Sequence, residues 1–176
     1  LTSLQETVIS KFISLYNVTF EIGNKIKEYD FVSRNTTLSN TGLTTKTIGK
    51  TNANAVTIFV FNKNKTKMLL IKEFRYPIND YVIASPAGLI DNNEDFKTAA
   101  LRELYEEIGY TKDQIEIIDT LPPSYSSIGL TDEQTASVFI TVDDSIKPKQ
   151  HLESTEDIQY FWITPHEAEK FLKTQE

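Results

Sequence analysis

Apolar residues alternate with polar ones in several short runs of the chain and take up helical spacing in two others. These two periods mark out the predicted elements. Phe12, Leu15, Tyr16, Val18, Phe20 and Ile22 lead to Gly23 and Asn24, and Tyr29, Phe31 and Val32 follow, which predicts two strands around a turn. Residues 35–54 are rich in Thr, Asn and Ser and include Gly42 and Gly49, so a long loop or an irregular edge ribbon is expected there. Beyond it Val56, Ile58 and Val60 alternate, residues 62–66 form a polar turn, and 68–74 make a second apolar run: a hairpin.

Over 94–108 the period turns helical, with Phe96, Ala100, Leu101, Leu104 and Ile108 on one face, Asn93 as the expected N-cap and Gly109 as the stop. Further strands are expected at 115–121, 136–142 and 159–163. Thr164, Pro165 and Glu167 then form a capping box with proline in the first helical position, which predicts a last helix through Leu172. This order suits an α/β fold, a mixed β-sheet sandwiched between helices, with a small N-terminal β appendage over residues 1–50 and a catalytic domain over 51–176.

Length and composition narrow the function. A chain of 176 residues can bury a real core in one domain, and no apolar stretch is long enough to suggest a membrane span. Glu6, Lys11, Glu21 and Lys25 interrupt the first thirty residues, so no signal-type segment is read there and a cytoplasmic location is expected. With no cysteine, disulfides, thiolate metal sites and cysteine nucleophiles are excluded. A net charge of −7 argues against a nucleic-acid partner. It leaves room for a small phosphorylated substrate, because a divalent cation held by carboxylates reverses the local sign.

The predicted central helix carries such carboxylates. Glu103, Glu106 and Glu107 stand at i, i+3 and i+4, on one side of the helix. Acidic helical runs are usually solvated faces. Here the run belongs to a longer frame: Gly88, five residues, Glu94, seven residues, Arg102-Glu103-Leu104, one residue, Glu106-Glu107, one residue, Gly109.

That frame resembles the Nudix box, and the chain is identified by it with the Nudix hydrolase family; at the last place of the box Tyr110 replaces the usual aliphatic residue. The resemblance implies a loop-helix-loop in which Glu103, Glu106, Glu107 and the backbone carbonyl of Ala87 hold Mg²⁺, with Mn²⁺ as an alternative. Arg102 would orient the carboxylates, Glu94 would pair near the helix start, and Gly88 and Gly109 would be structural. Glu73-Phe74-Arg75-Tyr76-Pro77 and Ser85-Pro86-Ala87-Gly88 are similar to segments that precede the box in the ADP-ribose pyrophosphatase branch. On that likeness the substrate is a small nucleoside diphosphate compound. Arg75, Glu133, Arg34 and Tyr29 are its candidate contacts, Phe74 and Tyr76 are core or loop anchors, and Glu156, or alternatively Glu153, is the group that activates water. One departure stands out: the branch carries Ser-Pro-Gly where this chain reads Ser127-Ile128-Gly129. A homodimer is expected, formed through residues 12–34, with neither membrane nor nucleic acid as partner. His151 and His166 are read as a loop and a surface residue.

Overall fold

The computed structural model describes residues 3–9, 12–34, 53–91 and 93–174, the first of these as backbone. The chain divides into two compact units, Leu1–Asn54 with Pro123–Thr135, and Ala55–Pro122 with Ala136–Glu176. The first unit therefore takes in a segment that lies well beyond residue 50.

In the first unit, β1 (Ser3–Ile9), β2 (Ser14–Ile22) and β3 (Lys25–Ser33) form an antiparallel sheet in that order. The two strands predicted around Gly23 are β2 and β3. Ile22 pairs with Lys25, so the loop has two residues, and Gly23 opens it at φ +61. A glycine with positive φ in the first central position suits a tight hairpin turn, whose twist matches that of the strands. Tyr16 and Phe31 are register partners, both buried, with ring centroids 5.5 Å apart. β1 has no counterpart in the predicted elements. Residues 35–52 of the polar stretch lie outside the described residues.

The second unit is built on a seven-stranded sheet, of which the last residues of β8 and the first of β9 fall in the first unit's segment. Its strands are β4 (Ala55–Asn62), β5 (Met68–Arg75), β6 (Asp80–Ala84), β7 (Ala87–Leu89), β8 (Ile115–Tyr125), β9 (Gln134–Val142) and β10 (Ile158–Ile163). The main path runs β10-β5-β4-β9-β8, with β6 paired to β5 and β7 to β4. Two helices complete it, α1 (Phe96–Glu107) and α2 (Pro165–Thr174). The expected α/β class, a mixed sheet layered with helices and preceded by a small β sheet, stands.

Alternation on β4, β5 and β9 sends Val56, Ile58, Val60, Leu69, Ile71, Val138, Ile140 and Val142 into one core with Ala99, Ala100, Leu104 and Ile108 from α1. Each such aliphatic side chain gains about 1.5–3 kcal/mol by leaving water, before the entropy of ordering it is charged. Tyr110 is fully buried among them and its hydroxyl donates to the Asp143 carbonyl at 3.1 Å, so the departure at the end of the box is a packing position whose one polar atom is satisfied.

Two details of α1 differ from expectation. Its N-cap is Asp95, not Asn93: the Asp95 carboxylate accepts from the backbone N–H groups of Lys97 and Thr98 at 2.9 and 3.1 Å. Asn93 sits at φ 66, a left-handed conformation that suits a turn residue, whereas an N-cap is extended. The helix accordingly starts at Phe96. At the other end of the molecule the capping box of α2 is present, with Thr164 N–H donating to Glu167 at 2.7 Å and Glu167 N–H to Thr164 Oγ1 at 3.3 Å.

Gly109 ends α1 in a way no other residue can. Its φ is +103, and a Cβ there would lie 2.1 Å from the Lys149 carbonyl oxygen. Backbone strain and a backbone clash would act together. We expect Gly109→Ala to cost at least about 2 kcal/mol of stability, more than the usual glycine-to-alanine penalty. A urea titration checks it: the midpoint should fall at constant slope, and an unchanged midpoint would contradict the close approach.

Candidate active site

Glu103 and Glu107 are four residues apart on α1, on the face that carries Ala99, Ala100 and Leu104 against β4 and β7. Small side chains there let the helix come close to the sheet. The approach is closest at Gly88 on β7: a Cβ added to it would lie 1.9 Å from the Glu103 carboxyl carbon. The glycine thus makes the space that the carboxylate occupies.

Arg102 organises the acidic groups on the rim. Its Nε and Nη2 donate to the two oxygens of Glu94 at 3.1 and 2.9 Å, Nη2 also donates to the Leu89 carbonyl at 2.9 Å, and Nη1 donates to Glu103 at 2.9 Å and Glu106 at 3.1 Å. A planar fork with five donors suits this task, which a lysine could not perform. The hydrogen bonds from Arg102 hold the Glu94 carboxyl below its usual range.

Glu107 lies deeper and has no such relief. It is only 3 % exposed, and its Oε2 has no hydrogen-bond partner among the described residues. Burial first, and then the charges of Glu103, Glu73 and Glu156, push its pKa up to about 9; a hydrogen bond from the Ala87 backbone opposes the rise. Glu103 is also raised, by burial, with Arg102 pulling the other way and Glu106 and Glu156 adding to the rise. Because Glu103 and Glu106 are both turned to Arg102, no three acidic side chains among the described residues close on one point as metal ligands would.

Glu73, which lies outside the box and outside the candidate residues, also acts on Glu107. It follows Leu69 and Ile71 on the same face of β5, so the period-two alternation that marks those two as core also aims Glu73 inward; that was the available signal. Burial raises its pKa, Arg75 lowers it, and Glu156 raises it. Arg75 Nη2 lies 2.8 Å from Glu73 Oε2, an ion pair without hydrogen-bond geometry.

Glu156 belongs to the loop before β10. Its carboxylate accepts from the Glu153 N–H at 2.8 Å and its own N–H donates to the Glu153 carbonyl at 3.1 Å, so the two candidate bases form one local turn. Only Glu156 appears among the charges acting on Glu73, Glu103 and Glu107. The loop is tied to the end of α1: His151 N–H donates to the Glu106 carbonyl at 2.8 Å, Gln150 Nε2 donates to the Glu107 carbonyl at 2.7 Å, and the His151 ring stacks on Tyr105. His166 lies exposed in the first turn of α2.

The remaining candidates belong to the first unit. Arg34 pairs with Glu133, and the Tyr29 hydroxyl donates to the Gly129 carbonyl at 2.7 Å. Tyr29 also lines an apolar groove with Val18, Phe20, Phe31, Tyr125 and Ile128.

The raised carboxyls set a stability slope. Glu107 holds a proton in the folded state that the unfolded chain releases at an ordinary carboxylate pKa, so metal-free stability should fall as pH rises from about 4.5 to about 9. Glu103 and Glu73 are shifted in the same direction and add to the fall, whereas Glu94 and Asp95 are shifted downward and act only at lower pH. Glu107→Gln should flatten the slope and raise the melting temperature in chelator near pH 8. Parallel melting curves for the two proteins across the pH range would contradict the burial of an unpaired carboxylate.

Comparisons with known proteins give the family. The family model of the NUDIX domain matches residues 51–176. An ADP-ribose pyrophosphatase of Saccharomyces cerevisiae is 35% identical over 169 residues, covering 93% of this chain and 68% of that protein. An ADP-ribose pyrophosphatase of Bacillus subtilis is 32% identical over 111 residues, covering 62% of this chain and 58% of its own length. Among solved structures, an ADP compounds hydrolase superposes with a TM-score of 0.64 over 98% of this chain and 81% of that one; at 17% identity this speaks to the fold. With a family match spanning most of the chain, the protein belongs to the NUDIX family.

Proposed function

We propose that this chain hydrolyses the diphosphate bond of a nucleoside diphosphate sugar, with ADP-ribose as the leading substrate and AMP and ribose 5-phosphate as products. The observation that carries the reading is the built box on α1: Arg102 bonded to Glu94, Glu103 and Glu106, and beside them the buried Glu107 with an oxygen that no donor among the described residues meets. Support for the substrate comes from the two relatives described as ADP-ribose pyrophosphatases.

A divalent cation fits the donors present. Carboxylate oxygens are the hard ligands that Mg²⁺ and Mn²⁺ take, and Glu107 offers a buried oxygen that no donor among the described residues satisfies. Glu103, Glu106, Glu107 and the Ala87 carbonyl would hold it. When bound, the cation neutralises diphosphate oxygens and lowers the pKa of a coordinated water.

The chain's own groups do the rest. Arg102 keeps Glu103 and Glu106 oriented, and Arg75 is placed to bind phosphate oxygens. Glu156, with Glu153 as the alternative, takes the proton of the water that attacks phosphorus as the bridging P–O bond breaks. Tyr29, Arg34 and Glu133 stay candidate substrate contacts on the family resemblance alone.

A second reading rests on Ile128, which is 80% exposed in the loop where the branch carries proline. It points to another sugar nucleotide or a dinucleotide as the preferred diphosphate. A domain that senses ADP-ribose without cleaving it is disfavoured, since every carboxylate of the box is present.

Phosphate release over a panel of nucleoside diphosphate compounds with Mg²⁺ tests the reading. Glu106→Gln and Glu107→Gln should each lower kcat at least about a hundredfold while the protein stays folded. Near-normal turnover in both would sink the metal assignment.

We further infer a homodimer through residues 12–34. Phe12, Ile13, Ile22 and Ile26 of the first unit are exposed, and a short three-stranded sheet gains from apolar cover. Light scattering should give twice the 20.1 kDa of one chain. A mass of one chain at micromolar concentration would refute it.

A further inference from the structure

Two phenols of the β5–β6 hairpin converge on the short loop that carries Glu156. The Tyr76 hydroxyl donates to the Thr155 carbonyl at 3.0 Å, and the Tyr81 hydroxyl donates to the Asp157 carboxylate. Between them Phe74 meets both rings edge to face, each at a centroid distance of 5.4 Å, and Lys72 Nζ lies 4.9 Å from the centre of the Tyr81 ring. The Phe74 N–H donates to the Asp157 carbonyl at 3.1 Å, extending by one step the pairing of Glu73 with Ile158. One hairpin thus grips residues on both sides of Glu156.

The geometry points to Tyr76 and Tyr81 as positioning residues that hold the 153–157 loop so that Glu156 faces Glu73, Glu103 and Glu107. This rests on the proposed role of Glu156. Exposed tyrosine hydroxyls can bond water at no cost, so their joint use on one five-residue loop needs a reason. Supported by Phe74, the rings lose little freedom in making these bonds, and the loop gains anchors that its lack of helix or strand denies it. An acid or base displaced by about an ångström loses much of its effect, so such anchors act on rate more than on substrate binding.

The test uses the full chain with ADP-ribose and Mg²⁺. Variants are Tyr76→Phe, Tyr81→Phe, the double replacement, Asp157→Asn and Asp157→Ala, each checked for an unchanged melting temperature. The double tyrosine variant should lower kcat by about tenfold with KM within about twofold, and should speed amide hydrogen exchange at 153–157 alone. Asp157→Asn keeps an oxygen that accepts from Tyr81 and should retain most of the rate, whereas Asp157→Ala should resemble Tyr81→Phe. Unchanged exchange in the double variant, or an Asp157→Asn protein as impaired as Asp157→Ala, would overturn the proposal. Glu156→Gln and Glu153→Gln separate the two layers. If Glu156→Gln turns over normally, or if only Glu153→Gln is crippled, the role given to Glu156 fails and with it the positioning role.

Discussion

The repulsion among carboxylates around Glu107 is the constraint on which the second unit is built. Placing an ion in a protein interior costs several kcal/mol even after relaxation, and each further anion nearby adds to it. Glu107 has one backbone donor against three acidic neighbours, so its pKa rises and in the absence of a cation it avoids the cost by keeping its proton. The fold tolerates it because the large apolar core beneath α1 stabilises the helix independently, and because Arg102 takes up the outer charges of Glu94, Glu103 and Glu106. Gly88 adds the steric half of the same solution: the helix sits close to the sheet without expelling Glu103. A site that costs stability in this way is expected where function, rather than packing, selects the residues.

Much of the site was legible because it lies on one helix. Spacing along α1 fixes which side chains share a face, so Glu103, Glu106, Glu107 and Arg102 were placed together by sequence alone, and the box frame extended this to Gly88 and Glu94. Glu73 escaped because its neighbours in space come from other elements. Alternation along β5 showed that it points inward, yet what it meets depends on the pairing of β5 with β4 and β10, which no local pattern encodes. The choice between Glu153 and Glu156 is open for a related reason: both lie in one turn and bond each other, so no local pattern separates them.

The fold was legible where one face of a strand is buried. β4 alternates throughout and β9 over its first seven residues, and both were expected near their observed limits. β6 and β7 were missed for physical reasons. β6 has no fully buried residue and β7 is three residues long between Pro86 and a loop, so neither leaves a hydrophobic period to read. The N-cap of α1 shows the same limit on a smaller scale. Asn93 and Asp95 are both good caps by residue type, and the backbone decides between them, since φ 66 at Asn93 commits it to the preceding turn.

The stretch from Asp143 to Asp157 shows how irregular chain can still present a residue accurately. Its start is tied to Lys63, Lys67 and Tyr110, and the rest goes to two further places. Lys149 lies against Gly109, Gln150 bridges the carbonyls of Glu107 and Ile158, and His151 bonds the Glu106 carbonyl, so its middle is fixed to the end of α1. Thr155 and Asp157 are bonded by Tyr76 and Tyr81, so its end is fixed to the β5–β6 hairpin. These are the elements that carry Glu103, Glu106 and Glu107 on one side and Glu73 and Arg75 on the other. Any shift of helix against hairpin must therefore move the loop with them, and the distance from Glu156 to the remaining carboxylates is set by the same contacts that hold the cluster itself.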